Sequence, residues 1–236
     1  MKKVIGLFMT LFLLFGSLSV SAAGAPTFSD TQGHWGEAYI KTIAEKRIIS
    51  GYPDGTFKPD KNVTRAELAK IIAGAFDLSE ENTLEEFTDI SSAQWYYPYL
   101  QKSAKYIPNY MPPLIYPNTI PYRDATAQQF LPDNDTLRIH CAEALVRIMT
   151  EVKHVELETP SAFEMCDDVN TWFNDGYELF VMHYGQPATN AVRVVQYTWM
   201  AKQLGIMKGE PDGYFYPYQH ITRAELAAII CRMLEQ

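Results

Sequence analysis

The chain has 236 residues, with 20 Lys and Arg against 28 Asp and Glu and a formal charge of −8 at pH 7. That acidic balance argues against a nucleic-acid partner, whose binding is dominated by neutralisation of phosphates. The length admits one large or two ordinary domains.

Residues 1–22 read as a secretory signal peptide. Lys2 and Lys3 precede an apolar run from Val4 to Phe15, and small residues follow to Val20-Ser21-Ala22. Cleavage is expected after Ala22 or Ala23. The apolar run is short for a membrane span, so the expectation is an exported chain whose mature part has no transmembrane helix. Cys141, Cys166 and Cys231 are an odd set in such a chain. Cys141 and Cys231 fall on helical stretches as buried apolar residues, while one disulfide involving Cys166 stays open.

A first unit spans residues 26–78. It opens with Phe28-Ser29-Asp30, where Asp30 is expected to cap a helix running from about Trp35 to Ile48. Gly51-Tyr52-Pro53-Asp54-Gly55 is turn chemistry, since proline presets one torsion, aspartate bonds locally and glycine accepts positive φ. An extended connector then leads to a second helix at Thr64-Arg65-Ala66-Glu67, a capping-box sequence. Leu68, Ile71, Ile72, Ala75 and Phe76 form its apolar stripe.

A second unit spans residues 85–151. Phe87-Thr88-Asp89 and Trp95 repeat the opening phrase, and Phe130, Pro132 and Arg138 repeat the spacing of Phe57, Pro59 and Arg65. The Gly-Tyr-Pro-Asp-Gly turn is missing, and Thr-Arg-Ala-Glu becomes Leu137-Arg138-Ile139-His140, leaving Asp135 or Thr136 to cap. Aligning Glu143 with Glu67 instead would place Arg147 on the buried stripe, where an unpaired cation is seldom found. The register through Arg138 keeps Cys141, Ala144, Leu145, Ile148 and Met149 on the stripe. An insertion at 107–130, rich in Pro and Tyr, suits a loop packed on its own domain, a carbohydrate contact or a protein partner.

A third unit spans residues 160–236. It begins loosely with Phe163, Asp167, Asp168 and Trp172, carries an insertion at 174–187, and places its first helix at about Thr189 to Leu204. Gly209, Pro211, Asp212, Gly213, Phe215 and Pro217 restore the turn, and Thr222-Arg223-Ala224-Glu225 restores the capping box. Leu226, Ile229, Ile230, Met233 and Leu234 repeat the stripe. One supersecondary unit therefore recurs three times, each copy too small to bury its apolar face alone.

Capping accounts for Thr64, Glu67, Thr222 and Glu225, but not for Arg65, Arg138 and Arg223. A cation in a first helical turn faces the positive end of the dipole. Two explanations stand: an anionic ligand shared between the guanidinium and free helix-start N–H groups, or a salt bridge to a neighbouring repeat.

The order Phe-Ser-Asp, Trp, helix, Gly-Tyr-Pro-Asp-Gly-Thr-Phe-x-Pro, Val-Thr-Arg-Ala-Glu resembles the S-layer homology module of bacterial surface proteins, over residues 28–76 and again over 204–234. The resemblance implies a mainly α fold of three tandem helix-loop-helix modules in a pseudo-threefold assembly. It also implies non-covalent anchoring through a secondary cell-wall polysaccharide, typically bearing pyruvylated N-acetylmannosamine, in grooves between modules. By that resemblance Arg65, Arg138 and Arg223 would meet the carboxylate or sugar, joined by Asp30, Trp35, Gly51, Asp54, Asp89, Trp95, Gly209 and Asp212. The divergent second module leaves at most two competent grooves expected. A degenerate module serving as a protein-interaction or structural wall protein, with other surface proteins as partners, is the alternative.

An enzyme is the other rival. His34, His140, His154, His183 and His220 share no ligand spacing, so no metal or cofactor is expected. Glu85-Glu86 and Asp167-Asp168 are adjacent acids on acidic stretches rather than the opposed pair that a glycan hydrolase needs.

Overall fold

The computed structural model describes residues 26–79, 83–84, 86–108, 129–158, 164–165, 168–169 and 189–235, with backbone only at 189–192. The leader, Cys166, the acidic pair Asp167-Asp168 as a pair, most of the 107–130 insertion and the whole 174–187 insertion lie outside them. The helices are α1 (Glu37–Glu45), α2 (Arg65–Ala75), α3 (Tyr97–Ser103), α4 (Arg138–Arg147, continued by a π turn at Ile148–Val152), α5 (Thr189–Gln203) and α6 (Arg223–Leu234). Among the described residues there is no extended sheet, only three isolated antiparallel bridges, Asn62 with Thr222, Thr64 with Asp135, and Leu137 with His220. The fold is mainly helical.

Periodicity places the core. Leu68, Ile71, Ile72, Phe76, Cys141, Ala144, Leu145, Ile148, Met149, Leu226, Ile229, Ile230 and Met233 are all buried. Ala75 is half-buried, and only Leu234, at the last turn of α6, is exposed. Phe57, Phe130 and Phe215, the aromatics that open each copy of the phrase, are fully buried. Helices pair across the repeats rather than within them: α2 packs on α3, α4 on α5, and α6 returns to α1.

A ring of backbone bonds closes this arrangement. Val63 N–H donates to Ile221 O (3.0 Å), Ile221 N–H to Thr136 O (3.0 Å), and Thr136 N–H to Val63 O (2.8 Å). All three residues are buried. The two N–H groups that open each following helix would otherwise lack acceptors. Arg65 and Ala66 donate to Asn134 O and Pro132 O, Arg138 and Ile139 to Gln219 O and Pro217 O, and Arg223 and Ala224 to Lys61 O and Pro59 O. Each helix mouth is thus filled by a neighbouring loop. This corrects the expectation that helix-start N–H groups stand free for an anion.

Lys58, Leu131 and Tyr216, each directly before a proline, adopt φ of 58°, 56° and 54°, a left-handed conformation that non-glycine residues rarely take. Carboxylates hold two of these positions. Asp30 accepts from Phe57 N (2.8 Å) and Lys58 N (2.7 Å), and Asp89 accepts from Phe130 N (2.8 Å) and Leu131 N (2.7 Å). Asp30 therefore does not cap α1, which starts at Glu37 behind Gly36 with no side-chain cap. Nor do Asp135 or Thr136 cap α4. Its N-cap is Leu137, without a side-chain bond, Asp135 accepts from Asn62 Nδ2 (2.8 Å), and the Thr136 hydroxyl is buried without a partner.

Candidate functional site

Both capping boxes form. Thr64 accepts from Glu67 N while Glu67 Oε2 accepts from Thr64 N (3.0 Å), and Thr222 and Glu225 repeat the exchange. The second oxygen of Glu225 is taken by an arginine. Arg138 donates to Glu225 Oε1 (2.8 Å) and Phe215 O (3.0 Å) and pairs with Glu210 (2.8 Å). Arg223 donates to Phe57 O (2.8 Å) and Ser50 O (2.9 Å), with Glu67 Oε1 farther off at 3.8 Å. Arg65 donates to Phe130 O (2.7 Å) and Pro108 O (3.0 Å) and lies 3.5 Å from His140 Nδ1.

The three guanidiniums are cyclically equivalent: each reaches the buried phenylalanine of another repeat and the third residue of that repeat's helix. They are only 2%, 4% and 4% exposed for Arg65, Arg138 and Arg223. Burial pulls the Arg223 pKa below the ordinary guanidinium value, against the opposing pull of Tyr52 and Glu67. Of the two explanations for these cations, an ion pair to a neighbouring repeat is present at Arg138 and, at 3.8 Å, at Arg223, while Arg65 is held by the carbonyls of Phe130 and Pro108.

The turn residues do local work. Asp54 accepts from the Thr56 hydroxyl (2.6 Å) and N–H (3.0 Å), bonds that hold its carboxyl below the usual range. Asp212 accepts from the Tyr216 hydroxyl (2.6 Å) and Tyr214 N (3.1 Å), with the same effect. For Asp30, burial opposes ionisation, but the two N–H donors outweigh it and lower the pKa. Gly209 has φ 82°, which favours glycine. Gly51 is needed for a different reason: a Cβ there would press into the Phe28 ring and come within 2.7 Å of Thr56 O.

Two cavities bring six of the predicted residues together, Trp35, Arg138 and Gly209 in one and Gly51, Trp95 and Arg223 in the other, while Arg65, Asp30, Asp54, Asp89 and Asp212 line neither. One, of about 500 Å³, is lined by Arg138, Gly209, Glu210, Glu225 and Trp35. The other, of about 230 Å³, is lined by Arg223, Gly51, Tyr52, Glu67 and Trp95. Several positions of the two walls correspond, from the arginine, the tryptophan and the turn glycine to Ile229 in the first and Ile71 in the second. Each cavity combines a clamped arginine, a turn, a helix start and a tryptophan from a third region of chain. Trp35 and Trp95 are 58% and 53% exposed at the cavity walls, with Lys70 Nζ 5.8 Å from the Trp95 ring centroid.

Sequence reasoning missed Glu210, Lys70, Lys208 and Arg232 in these walls. The only signal was the exchange of Tyr52 for Glu210 between two otherwise matching turns. It also missed the pair of buried Glu143 on α4 and half-exposed Arg193 on α5, where Arg193 Nε donates to Glu143 Oε2 at 2.9 Å. Cys141 and Cys231 are buried free thiols, and burial pushes Cys141 up to about 12. Among the described residues no helix is long and apolar enough to cross a membrane.

Comparison with known proteins adds names to this geometry. The chain is 28% identical over 231 residues to S-layer protein EA1 of Bacillus anthracis, covering 97% of this chain and 22% of that protein. It is 26% identical over 212 residues to an amylopullulanase of Thermoanaerobacterium thermosulfurigenes, covering 89% of this chain and 10% of the enzyme. It is 39% identical over 69 residues to a cellulosome-anchoring protein of Acetivibrio thermocellus, covering 29% of this chain and 15% of that protein. The chain thus spans a minor part of the length of each of these relatives. Residues 27–69, with α1 and the mouth of α2, and residues 200–227, with the end of α5 and the mouth of α6, match the S-layer homology domain.

Proposed function

We propose that this chain attaches non-covalently to a bacterial cell surface by holding an acidic secondary cell-wall polysaccharide in clefts between three modules, at 26–78, 85–151 and 160–236. The polymer is of the pyruvylated N-acetylmannosamine type. The observation that carries this reading is the pair of half-open tryptophans, Trp35 and Trp95, each set on a cavity wall with an arginine. A flat aromatic face suits the apolar face of a sugar ring, and a guanidinium suits a ketal carboxylate.

In this reading Arg223 and Arg138 act from the cleft floor through the edge of the guanidinium that lines each cavity. Gly51 and Gly209 admit the backbone turn that forms the wall. Asp30, Asp54, Asp89 and Asp212 hold the loops in shape. The surroundings of Arg65 include residues outside those described, and its part in a third cleft belongs to the same proposal. Support also comes from what the relatives share: an S-layer protein, a cellulosome-anchoring protein and a polysaccharide hydrolase have unlike names but a similar segment. A surface-attachment module is the property such proteins could hold in common. The hydrolase resemblance covers 10% of the enzyme, so no catalytic role is proposed.

The test is co-sedimentation of the purified protein with native wall sacculi, before and after pyruvyl groups are removed. Binding is expected to fall sharply after removal, and equally in a Trp35→Ala/Trp95→Ala double variant whose circular dichroism is unchanged. Full binding by that folded double variant would refute the cleft as the site.

A further inference from the structure

The two described clefts share a backbone but not a charge. Tyr52 N donates to Thr56 O and Glu210 N to Tyr214 O, both at 2.7 Å, and Gly55 and Gly213 return 3.0 Å bonds to Tyr52 O and Glu210 O. The turns are superimposable in bonding, so Tyr52 and Glu210 present different side chains at one position. In the third repeat, Glu210 meets one terminal nitrogen of Arg138 at 2.8 Å while Glu225 meets the other at 2.8 Å. Two carboxylates bracket one guanidinium.

Arg223 has no such pairing. Its nearest carboxylate, Glu67, is 3.8 Å away. That carboxylate is already engaged by Lys61 at 3.5 Å and the Tyr52 hydroxyl at 3.2 Å. The walls differ accordingly. Around Arg138, the cations Arg138, Lys208 and Arg232 are balanced by Asp60, Glu210 and Glu225. Around Arg223, Arg223 and Lys70 face Glu67 alone, which leaves an excess of one positive charge. A carboxylate entering the first cleft would meet like charges on both sides of the guanidinium, whereas the second offers net attraction. The tryptophan face is indifferent to this distinction and is present in both.

We propose that the Arg223 cleft receives the acidic sugar of a polymer, while the Arg138 cleft, neutralised by Glu210, receives an uncharged saccharide unit. Glu210 is the residue that sets the difference. The larger volume beside Arg138, about 500 against about 230 Å³, suits a longer stretch of neutral glycan. This inference rests on the polysaccharide reading and refines it.

The experiment uses the full chain with ¹⁵N-labelled indoles, assigned by single Trp→Phe replacements. Two probes are titrated: the pyruvate ketal of N-acetylmannosamine and its methyl ester, which removes the charge. The acid is expected to shift the Trp95 signal at concentrations about tenfold lower than Trp35, and the ester to lose that preference. Glu210→Gln, which keeps the shape and leaves Glu225 on Arg138, is expected to make Trp35 respond to the acid nearly as readily as Trp95. Equal responses of both tryptophans to the acid in the native chain would overturn the inference, as would a Trp35 in the Glu210→Gln chain that still ignores it. Either result leaves the anchoring proposal standing. Silence at both tryptophans with intact wall polysaccharide would sink the anchoring proposal itself.

Discussion

Arg138 reaches Glu225 at 2.8 Å across the seam between α4 and α6, on the oxygen that Glu225 does not use for capping its own helix. One carboxylate thereby caps the start of a helix and joins it to another repeat. The arginine that looks like a ligand contact in the sequence is also a fastener, so removing it disturbs more than a binding surface.

Arg138→Ala is expected to destabilise the protein by about 2–3 kcal/mol, below the roughly 3–5 kcal/mol for stripping one partner from a fully buried ion pair. The discount reflects Glu210 and Glu225, whose side chains are 34% and 24% exposed and can recover solvent. A lower midpoint in urea denaturation checks this. An unchanged midpoint would show the clamp to be dispensable.

Thr136 sits between Val63 and Ile221 in the backbone ring, with its hydroxyl buried and unpartnered. Thr136→Val keeps the shape and removes a desolvated polar atom, so it should raise stability by about 1 kcal/mol. The melting temperature is then expected to rise by about 2–4 °C for a chain of this size.

Gly51 and Gly209 occupy corresponding turn positions for unlike reasons. Gly209→Ala places a side chain at a positive φ, which should cost about 1 kcal/mol. Gly51→Ala drives a methyl group against the Thr56 carbonyl and the Phe28 ring, and should cost about 2–3 kcal/mol. Thermal melts of the two variants should rank them in that order.

Asp30 has a folded pKa below its ordinary 3.8, so the unfolded chain binds its proton more readily. The stability it contributes is fully present above pH 3.8 and is lost as pH falls through the lower folded value. Asp30→Asn should cost about 1 kcal/mol at neutral pH, a modest figure because the group is largely exposed. It should also flatten the loss of stability below about pH 4. An unaltered acid limb in pH-dependent denaturation would contradict the assignment.

The second helix of each repeat and its buried face were legible from spacing alone, because Leu68, Leu226 and their successors repeat at intervals only a helix can use. By contrast, α3 was not foreseen, and α1 is shorter than the expected Trp35 to Ile48, with Trp35 exposed. The capping boxes were legible because Thr64 and Glu67 lie three residues apart. The α5 boundary, Thr189–Gln203, came within one residue of its expected end. Asp30 was misread because its partners are 27 and 28 residues away and are backbone N–H groups without a sequence signature. The arginines posed the same difficulty at greater range, since Arg223 bonds carbonyls 166 and 173 positions distant. Arg138 pairs with two carboxylates, Glu225 and Glu210, but Glu210 lay in a turn whose spacing pointed to local work.

Because α6 leans on α1 while its first turn is gripped by Arg138, the described part of the chain is circular in contact though linear in covalent order. Trimming α6 would unpick two seams at once and strand the apolar faces of both neighbours. A cut-down version carrying only the best-preserved repeat would therefore be a poor surrogate for the whole in any adhesion assay.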